Sequence, residues 1–113
     1  MKFAEKIVDD LIKWIEDNVN RPLYISDVAE QAGYSKWHLQ RIFHQYTGEN
    51  LASYIRKRKL SLAARDLNRT NERVIDISQK YGFDSQQIFT RSFSKAFNVS
   101  PIAYRKQNNL LNP

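Results

Sequence analysis

The sequence predicts an all-α fold of about seven helices, arranged as two similar subdomains joined by a long helix. Glycine and proline, the residues that most often interrupt helices, each occur only three times in 113 residues. No segment alternates apolar and polar residues as a half-buried strand would. The chain also repeats itself at an offset of 49 to 50 residues. We therefore expect one domain, 1–113, made of a first subdomain at 1–50, a joining helix at 51–68 and a second subdomain at 69–113.

The first subdomain is predicted to contain three helices. The first runs from Ala4 to Asn18, because apolar residues recur along it at helical spacing. The residues expected on its buried side are Ile7 or Val8, Leu11, Ile12, Ile15 and Val19. A short second helix is expected to begin at Ser26, whose hydroxyl can cap free N–H groups, and to end at Gly33. Ser35 is the expected cap of the third helix.

The remaining helices are predicted from their start and stop signals. A long helix should run from Leu51 to Asn68. Each of the three shorter helices after it begins at a residue whose side chain can cap the first turn; these residues are Asn71, Ser85 and Ser100. The first of them stops at Gly82, and the second covers residues 86–97. Pro101 suits the first position of the last helix, where its missing N–H costs nothing.

The internal repeat pairs residues that cap, turn and pack. At an offset of 49 residues the pairs are Ile25 with Val74, Asp27 with Asp76, Val28 with Ile77, Gly33 with Gly82, and Tyr34 with Phe83. At an offset of 50 they are Ser35 with Ser85, Arg41 with Arg91, Phe43 with Phe93, Gly48 with Asn98, and Tyr54 with Tyr104. The second copy has one extra residue in its turn, GFDS against GYS. Such a joint match predicts two units of the same structure.

Composition narrows the classes of protein that fit. The chain is 42% hydrophobic and carries a net charge of +6, with balances of −3 over residues 1–30, +6 over 31–70 and +3 over 71–113. This basic balance is a weak sign of nucleic acid, since an acidic membrane surface or protein partner would also fit. The sequence has no cysteine, no run of 18 apolar residues and no signal-peptide pattern. We therefore expect a cytoplasmic protein without disulfides, thiolate metal sites or membrane spans.

The third helix lies in the stretch YSKWHLQRIFHQYTG, residues 34–48, and carries two stripes. The apolar stripe, expected to face the core, consists of Leu39, Ile42, Phe43 and Tyr46. The other stripe, rotated around the helix, consists of Trp37, Gln40, Arg41 and His44. A short helix, a glycine turn and such a two-faced helix form the helix-turn-helix pattern, whose second helix enters the DNA major groove. Because arginine suits guanine, glutamine suits adenine and an indole can pack on a thymine methyl, Trp37, Gln40 and Arg41 are predicted base contacts.

The second copy presents a comparable face. Gln87, Thr90, Arg91 and Ser94 occupy the matching positions, with Gln86 one residue before them and a buried stripe of Phe89, Phe93 and Phe97. Gln86, Gln87 and Arg91 are therefore candidate base contacts. Two simpler interpretations stay open: Trp37 could be a core residue, and the two glutamines could be ordinary polar residues at a helix start.

The joining helix sets the expected mode of binding. Its roughly 18 residues span about 27 Å, and successive major grooves lie about 34 Å apart. One chain could then place both recognition helices on one asymmetric site of about 20 base pairs, as a monomer. The helix contains RKRK at residues 56–59, and four consecutive charges cannot all face DNA. Arg56 is the candidate phosphate contact among them.

Three motifs resemble the DNA-binding domain of the AraC/XylS family of bacterial transcription regulators, namely GYSKWHLQRIF, YGFDSQQIFTRSF and SPIAYR. The resemblance covers about residues 5–107 and includes the family's small stand-alone activators. It implies the base contacts given above and places four residues at or near the DNA backbone: Lys36, Arg56, Thr90 and Arg105. Two positions depart from the family. Ile88 replaces a usual threonine and could touch a sugar or thymine methyl, and Asn98 replaces a common glycine.

The resemblance also implies a function. It suggests a monomeric activator of stress and multidrug-resistance genes that binds double-stranded promoter DNA and recruits RNA polymerase. The separate ligand-binding and dimerisation domain of larger family members is missing from this chain, so we expect no cofactor and no small-molecule effector domain. Three alternatives remain: a repressor at the same kind of site, a protein-interaction module that docks its Trp37 face on RNA polymerase, and RNA binding.

The sequence contains no residue pattern typical of a catalytic or metal-binding site. No serine–histidine–acid set, carboxylate pair or phosphate-binding loop is recognisable. His38 and His44 lie six residues apart and lack acidic or cysteine partners at ligand spacing. The sequence therefore predicts neither an enzyme nor a metalloprotein.

Overall fold

The computed structural model describes the backbone of residues 2–111 and the side chains of residues 4–107. Within this part of the chain, seven helices and no strands are present: α1 (Lys2–Asn18), α2 (Ile25–Ala32), α3 (Lys36–Thr47), α4 (Leu51–Arg69), α5 (Val74–Lys80), α6 (Gln86–Phe97) and α7 (Pro101–Leu111). The predicted all-α class is confirmed.

The chain forms two compact units, residues 1–56 and 57–113, and the division falls inside α4. The first turns of α4 belong to the first unit, where Leu51 and Ile55 are buried. The rest of α4 packs into the second unit through Leu60 and Leu67. The sequence-based borders, which made residues 51–68 a separate joining segment, remain a prediction.

The first unit is built from α1, α2, α3 and the start of α4. Its buried apolar side chains come from each helix in turn: Val8, Leu11, Ile15, Val28, Ala29, Leu39, Ile42, Phe43, Leu51 and Ile55. Of the stripe predicted for α1, Val19 is buried as well, whereas Ile7 and Ile12 are only half-buried. The apolar stripe of α3 faces this core as predicted, although Tyr46 is also half-buried.

The second unit has an aromatic core. Phe89 and Phe93 are fully buried and pack with apolar residues of α4 and α5. The ring of Phe93 stacks on Phe97 at 4.5 Å between centroids and meets the edge of Tyr104 at 5.4 Å. In the first unit, the repeat-related pair Phe43 and Tyr54 also lies 5.4 Å apart. The sequence repeat thus places the same pair of aromatic residues in contact in both units.

Three of the five predicted caps are confirmed. Ser35, Ser85 and Ser100 each accept a hydrogen bond from the backbone N–H three residues later, at 3.2, 3.0 and 3.1 Å. The prediction for Ser26 is wrong: α2 begins at Ile25, and the extended Tyr24 precedes it with no side-chain cap. The carbonyl of Tyr24 accepts from the N–H groups of residues 27 and 28, so the helix starts before Ser26 can cap it.

The prediction for Asn71 is also wrong. Helix α5 starts only at Val74, preceded by Arg73 without a side-chain cap. The loop before it is held instead by Arg105 of α7. Its guanidinium donates from Nε to the carbonyl of Leu67 and from Nη2 to the carbonyls of Thr70 and Glu72, at 3.0, 3.3 and 2.6 Å. These bonds fix the carbonyls of the loop, and no side chain caps the first turn of α5.

A polar cluster joins α4 to α5 in the second unit. The buried carboxylate of Asp66 accepts hydrogen bonds from Tyr81 Oη at 2.6 Å and Lys80 Nζ at 2.9 Å. Lys80 also donates to Glu72 Oε1 at 2.7 Å. Burial would raise the pKa of Asp66, but the hydrogen bonds from Tyr81 and Lys80 outweigh it and hold this pKa below its ordinary value. The hydrogen bond to Glu72 likewise raises the pKa of Lys80.

Helices α3 and α6 end in the same way with different residues. Gly48 has φ 75° and Asn98 has φ 64°, both in the left-handed region, and each N–H bonds to the carbonyl four residues back. Asparagine is one of the few side-chain-bearing residues that adopt this backbone readily. Asn98 therefore replaces the family's common glycine without strain at the end of α6.

This helix end gives a first prediction about stability. Gly48→Ala should lower the free energy of unfolding by about 1 kcal/mol, because alanine is strained at positive φ. A Cβ at this position would meet no atom within 4 Å, so crowding adds nothing. Gly48→Asn is the matched variant and should cost less than half as much. Denaturant titration of both variants checks this, and equal losses would contradict the account of the helix end.

Candidate nucleic-acid interface

Helix α3 has one buried and one exposed face. Leu39 and Phe43 are 0% and 1% exposed, whereas Trp37 is 67% exposed. Arg41, one turn further along, is exposed beside it. The exposure of Trp37 excludes the interpretation that it is a core residue. The indole ring is therefore open to contact with another molecule.

The other residues predicted on this helix differ in exposure. Lys36 and His44 are exposed, while Gln40 is half-buried at the border between the two faces. The guanidinium carbon of Arg41 lies 4.5 Å from the centroid of the Trp37 ring. The sequence placed both residues on one face but did not indicate this contact; their i, i+4 spacing was the available signal.

Helix α6 brings the second predicted set together. Gln86, Gln87, Thr90 and Arg91 line one shallow depression on its surface. Thr90 is half-buried and the other three are exposed. On the opposite face, Phe89 is fully buried. Ile88, which replaces the family's usual threonine, also lies on the surface and is 44% exposed, so an apolar contact with a sugar or thymine methyl is sterically available.

The four charges of RKRK have separate surroundings. Arg56 is exposed, and its Nη2 approaches Ser53 Oγ at 3.4 Å. Lys57 is exposed and Arg58 is half-buried. Lys59 is buried and donates from Nζ to the carbonyl of Tyr81 at 2.6 Å. The run therefore mixes surface charge with a structural lysine, and Arg56 keeps the exposure that a phosphate contact needs.

Arg105 is the predicted site residue with the most internal contacts. Its Nε and Nη2 are engaged with the three carbonyls at the end of α4 and in the following loop. A contact with phosphate would have to use the other terminal nitrogen. Arg105 thus has a structural role that the sequence did not reveal. Its predicted contact with the DNA phosphate backbone stays a prediction.

No group of histidine, cysteine, aspartate and glutamate side chains in the described part of the chain could hold a metal ion. Over the same residues, no helix combines the length and the apolarity needed to cross a bilayer.

A family profile described as a helix-turn-helix domain matches residues 28–107, which include α3, α4 and α6. The multiple antibiotic resistance protein MarA of Escherichia coli K12 is 46% identical over 101 residues, covering 89% of this chain and 80% of MarA. The chain belongs to the AraC family. This AraC-family chain is a DNA-binding transcription regulator.

Two further comparisons agree with this assignment. The HTH-type transcriptional activator AarP of Providencia stuartii is 44% identical to this AraC-family chain over 104 residues, with 92% of this chain and 77% of AarP covered. The DNA-binding domain of AdpA, solved in complex with a target DNA, matches with a TM-score of 0.89 at 21% identity, covering 94% of this chain and 96% of that domain. At that identity the match shows the shared fold.

Proposed function

We propose that this AraC-family chain is a sequence-specific transcriptional activator that binds promoter DNA as a monomer, with α3 and α6 reading two major-groove segments of one site. The observation that carries the proposal is the equivalent exposed face of these two helices. Each presents an exposed arginine at the same repeat position, Arg41 and Arg91, on the side away from a buried apolar face. A helix with one packed face and one polar face is what major-groove reading requires.

The proposed contacts divide into two kinds. Side chains that reach base edges choose the site, and we assign this role to Trp37, Gln40, Arg41, Gln86, Gln87 and Arg91. Side chains that meet phosphates supply affinity and salt dependence. We assign that role to Lys36, Arg56, Thr90 and Arg105.

Activation rather than repression is favoured by the relatives. AarP is described as an activator and MarA as a multiple antibiotic resistance protein. We propose that this chain likewise activates stress and multidrug-resistance genes by recruiting RNA polymerase in the cytoplasm. A repressor would use the same contacts at a differently placed site.

Arg41→Ala tests the proposed base contact. It should weaken binding to the preferred duplex by about 1–3 kcal/mol and relax preference at one base pair, because a bidentate arginine contact is lost. Arg41→Lys is the matched variant: it keeps the positive charge but lacks the planar fork, so preference should relax while affinity for random duplex is retained. Competition titrations with single base-pair variants measure both effects.

The outcome of the same titrations can contradict the assignment. If Arg41→Ala lowered affinity for preferred and random duplexes equally, Arg41 would be a phosphate contact. If it changed neither while transcription activation was lost, the Trp37 face would be a protein-docking surface instead.

Arg56→Ala tests the proposed phosphate contact. It should weaken binding to all duplexes alike and reduce the slope of log K against log salt by about one unit, because one fewer counterion is released. Lys13→Ala is the control, since Lys13 is an exposed cation on the acidic α1. Titrations at several salt concentrations check this. An unchanged slope for Arg56→Ala, or equal changes for both variants, would remove Arg56 from the contacts.

A further inference from the structure

The contact between Trp37 and Arg41 is made within the first unit itself. Arg41 Cζ stands 4.5 Å from the indole centroid, well inside the range of a cation–π interaction. Both side chains are exposed, so neither is forced into this arrangement by core packing. They lie four residues apart on α3, where side chains are neighbours on one helix face.

We propose that Trp37 is a positioning residue for Arg41, so that preference at the base pair read by Arg41 depends on the Trp37 ring. This inference rests on the proposed function. A free arginine side chain samples many rotamers and must lose that freedom to present its fork to a base. A guanidinium stacked on an exposed indole is favoured over the unstacked side chain by a factor of about two to five. The contact with Trp37 therefore lowers the conformational entropy that the Arg41 side chain loses when it binds a base.

The second unit supplies an internal comparison. The repeat places Gln87 where the first unit has Trp37, and Arg91 where it has Arg41. The Gln87 amide lacks an aromatic ring with a negative face, so Gln87 cannot hold Arg91 by a cation–π contact. The dependence of an arginine on the residue four positions before it should thus be a property of α3 and not of α6.

Two replacements of Trp37 separate the ring from its bulk. Trp37→Phe keeps an aromatic face, whereas Trp37→Leu keeps an apolar side chain able to touch a thymine methyl but removes the π system. Because Trp37 is 67% exposed, both variants should unfold at the temperature of the original chain. A loss of fold therefore does not obscure the result.

The experiment uses the full chain and measures the penalty for changing one base pair. The pair is identified as the one whose preference Arg41→Ala relaxes, and the penalty is the ratio of Kd values for the changed and preferred duplexes. Trp37→Leu should reduce this penalty by a factor of about two to five, and Trp37→Phe should restore most of it. In the unbound protein, Trp37→Leu should also move the Arg41 side-chain resonances away from their ring-shifted positions, and Trp37→Phe should retain much of that shift.

The control is Gln87→Leu in the second unit. It should weaken binding through loss of its own contacts but leave the penalty at the base pair read by Arg91 within a factor of two. An unchanged Arg41 penalty in Trp37→Leu, or an equal fall in Gln87→Leu, would overturn the positioning role while leaving the proposed function intact. If Arg41→Ala relaxes no base pair, both the positioning role and the proposed base contact fail.

Discussion

Phe93→Ala should lower the free energy of unfolding of the second unit by about 3–5 kcal/mol, as expected for loss of a buried phenyl ring from a close-packed core. The side chain is fully buried, and its ring contacts those of Phe89, Phe97 and Tyr104. Its removal leaves a cavity at the centre of the cluster that holds α6 in place. Denaturant unfolding followed by circular dichroism measures the loss.

Ile88→Ala is the matched control for Phe93→Ala. It also removes an apolar side chain from α6, but 44% of Ile88 is exposed. Its effect on unfolding should stay at about 1 kcal/mol, since nearly half of Ile88 remains in water and its removal leaves no enclosed cavity. Equal losses for the two variants would mean that α6 does not bury the face described above.

Asp66→Asn should lower the free energy of unfolding by roughly 3 kcal/mol. The carboxylate accepts charge-assisted hydrogen bonds from Tyr81 and Lys80, and the buried tyrosine hydroxyl would lose its ionised acceptor. The estimate is below that for a fully enclosed ion pair because 37% of the Lys80 side chain is exposed. Thermal or denaturant unfolding at neutral pH checks the value.

The same substitution should change how stability depends on pH. Because the pKa of Asp66 is lower in the folded chain than its ordinary value, the carboxylate contributes stability above that ordinary value, near pH 4, and loses it as the pH falls further. The original chain should therefore lose stability below about pH 4 more steeply than Asp66→Asn does. Parallel curves for the two proteins in that range would contradict the role given to Asp66.

Asp76→Asn provides the control for both effects. Asp76 pairs with Arg73 through bonds of 2.9 and 3.2 Å, yet this pair lies on the surface. Solvent screens such pairs, so their loss should matter far less than that of the buried cluster. Comparing Asp66→Asn with Asp76→Asn therefore shows how much of the stability loss is due to burial of the ion pair.

The sequence predicted those parts of the fold that depend on local chemistry. Ser35 and Ser85 cap their helices because the cap needs only a hydroxyl and a backbone N–H three residues away. The predicted cap at Ser26 is wrong because α2 begins one residue earlier, at Ile25. The carbonyl of Tyr24 accepts the first helical hydrogen bonds, and no side chain caps this helix. The prediction for Asn71 is wrong because α5 begins only at Val74, after the extended Arg73, and Asn71 is therefore not the residue next to the first turn.

For the candidate interface too, the sequence predicted the local features and missed the contacts between side chains. Helical spacing placed Trp37 and Arg41 on the face opposite the core, and their exposure agrees with that. Spacing could not show that the two side chains stack, because the contact depends on rotamers. Helical spacing also could not show that Lys59 alone in RKRK is buried. The carbonyl that accepts its hydrogen bond belongs to Tyr81, 22 residues away in the sequence.

In the proposed binding mode, α3 and α6 of one chain each read a separate part of one DNA site. Binding sites can be selected from a random duplex pool by the original chain, Arg41→Ala and Gln87→Ala. Each variant should lose preference over a different short stretch, the two stretches lying about ten base pairs apart, while the other stretch stays selected. Loss of preference over the same stretch in both variants, or unchanged selection with uniformly weaker binding, would rule out this binding mode.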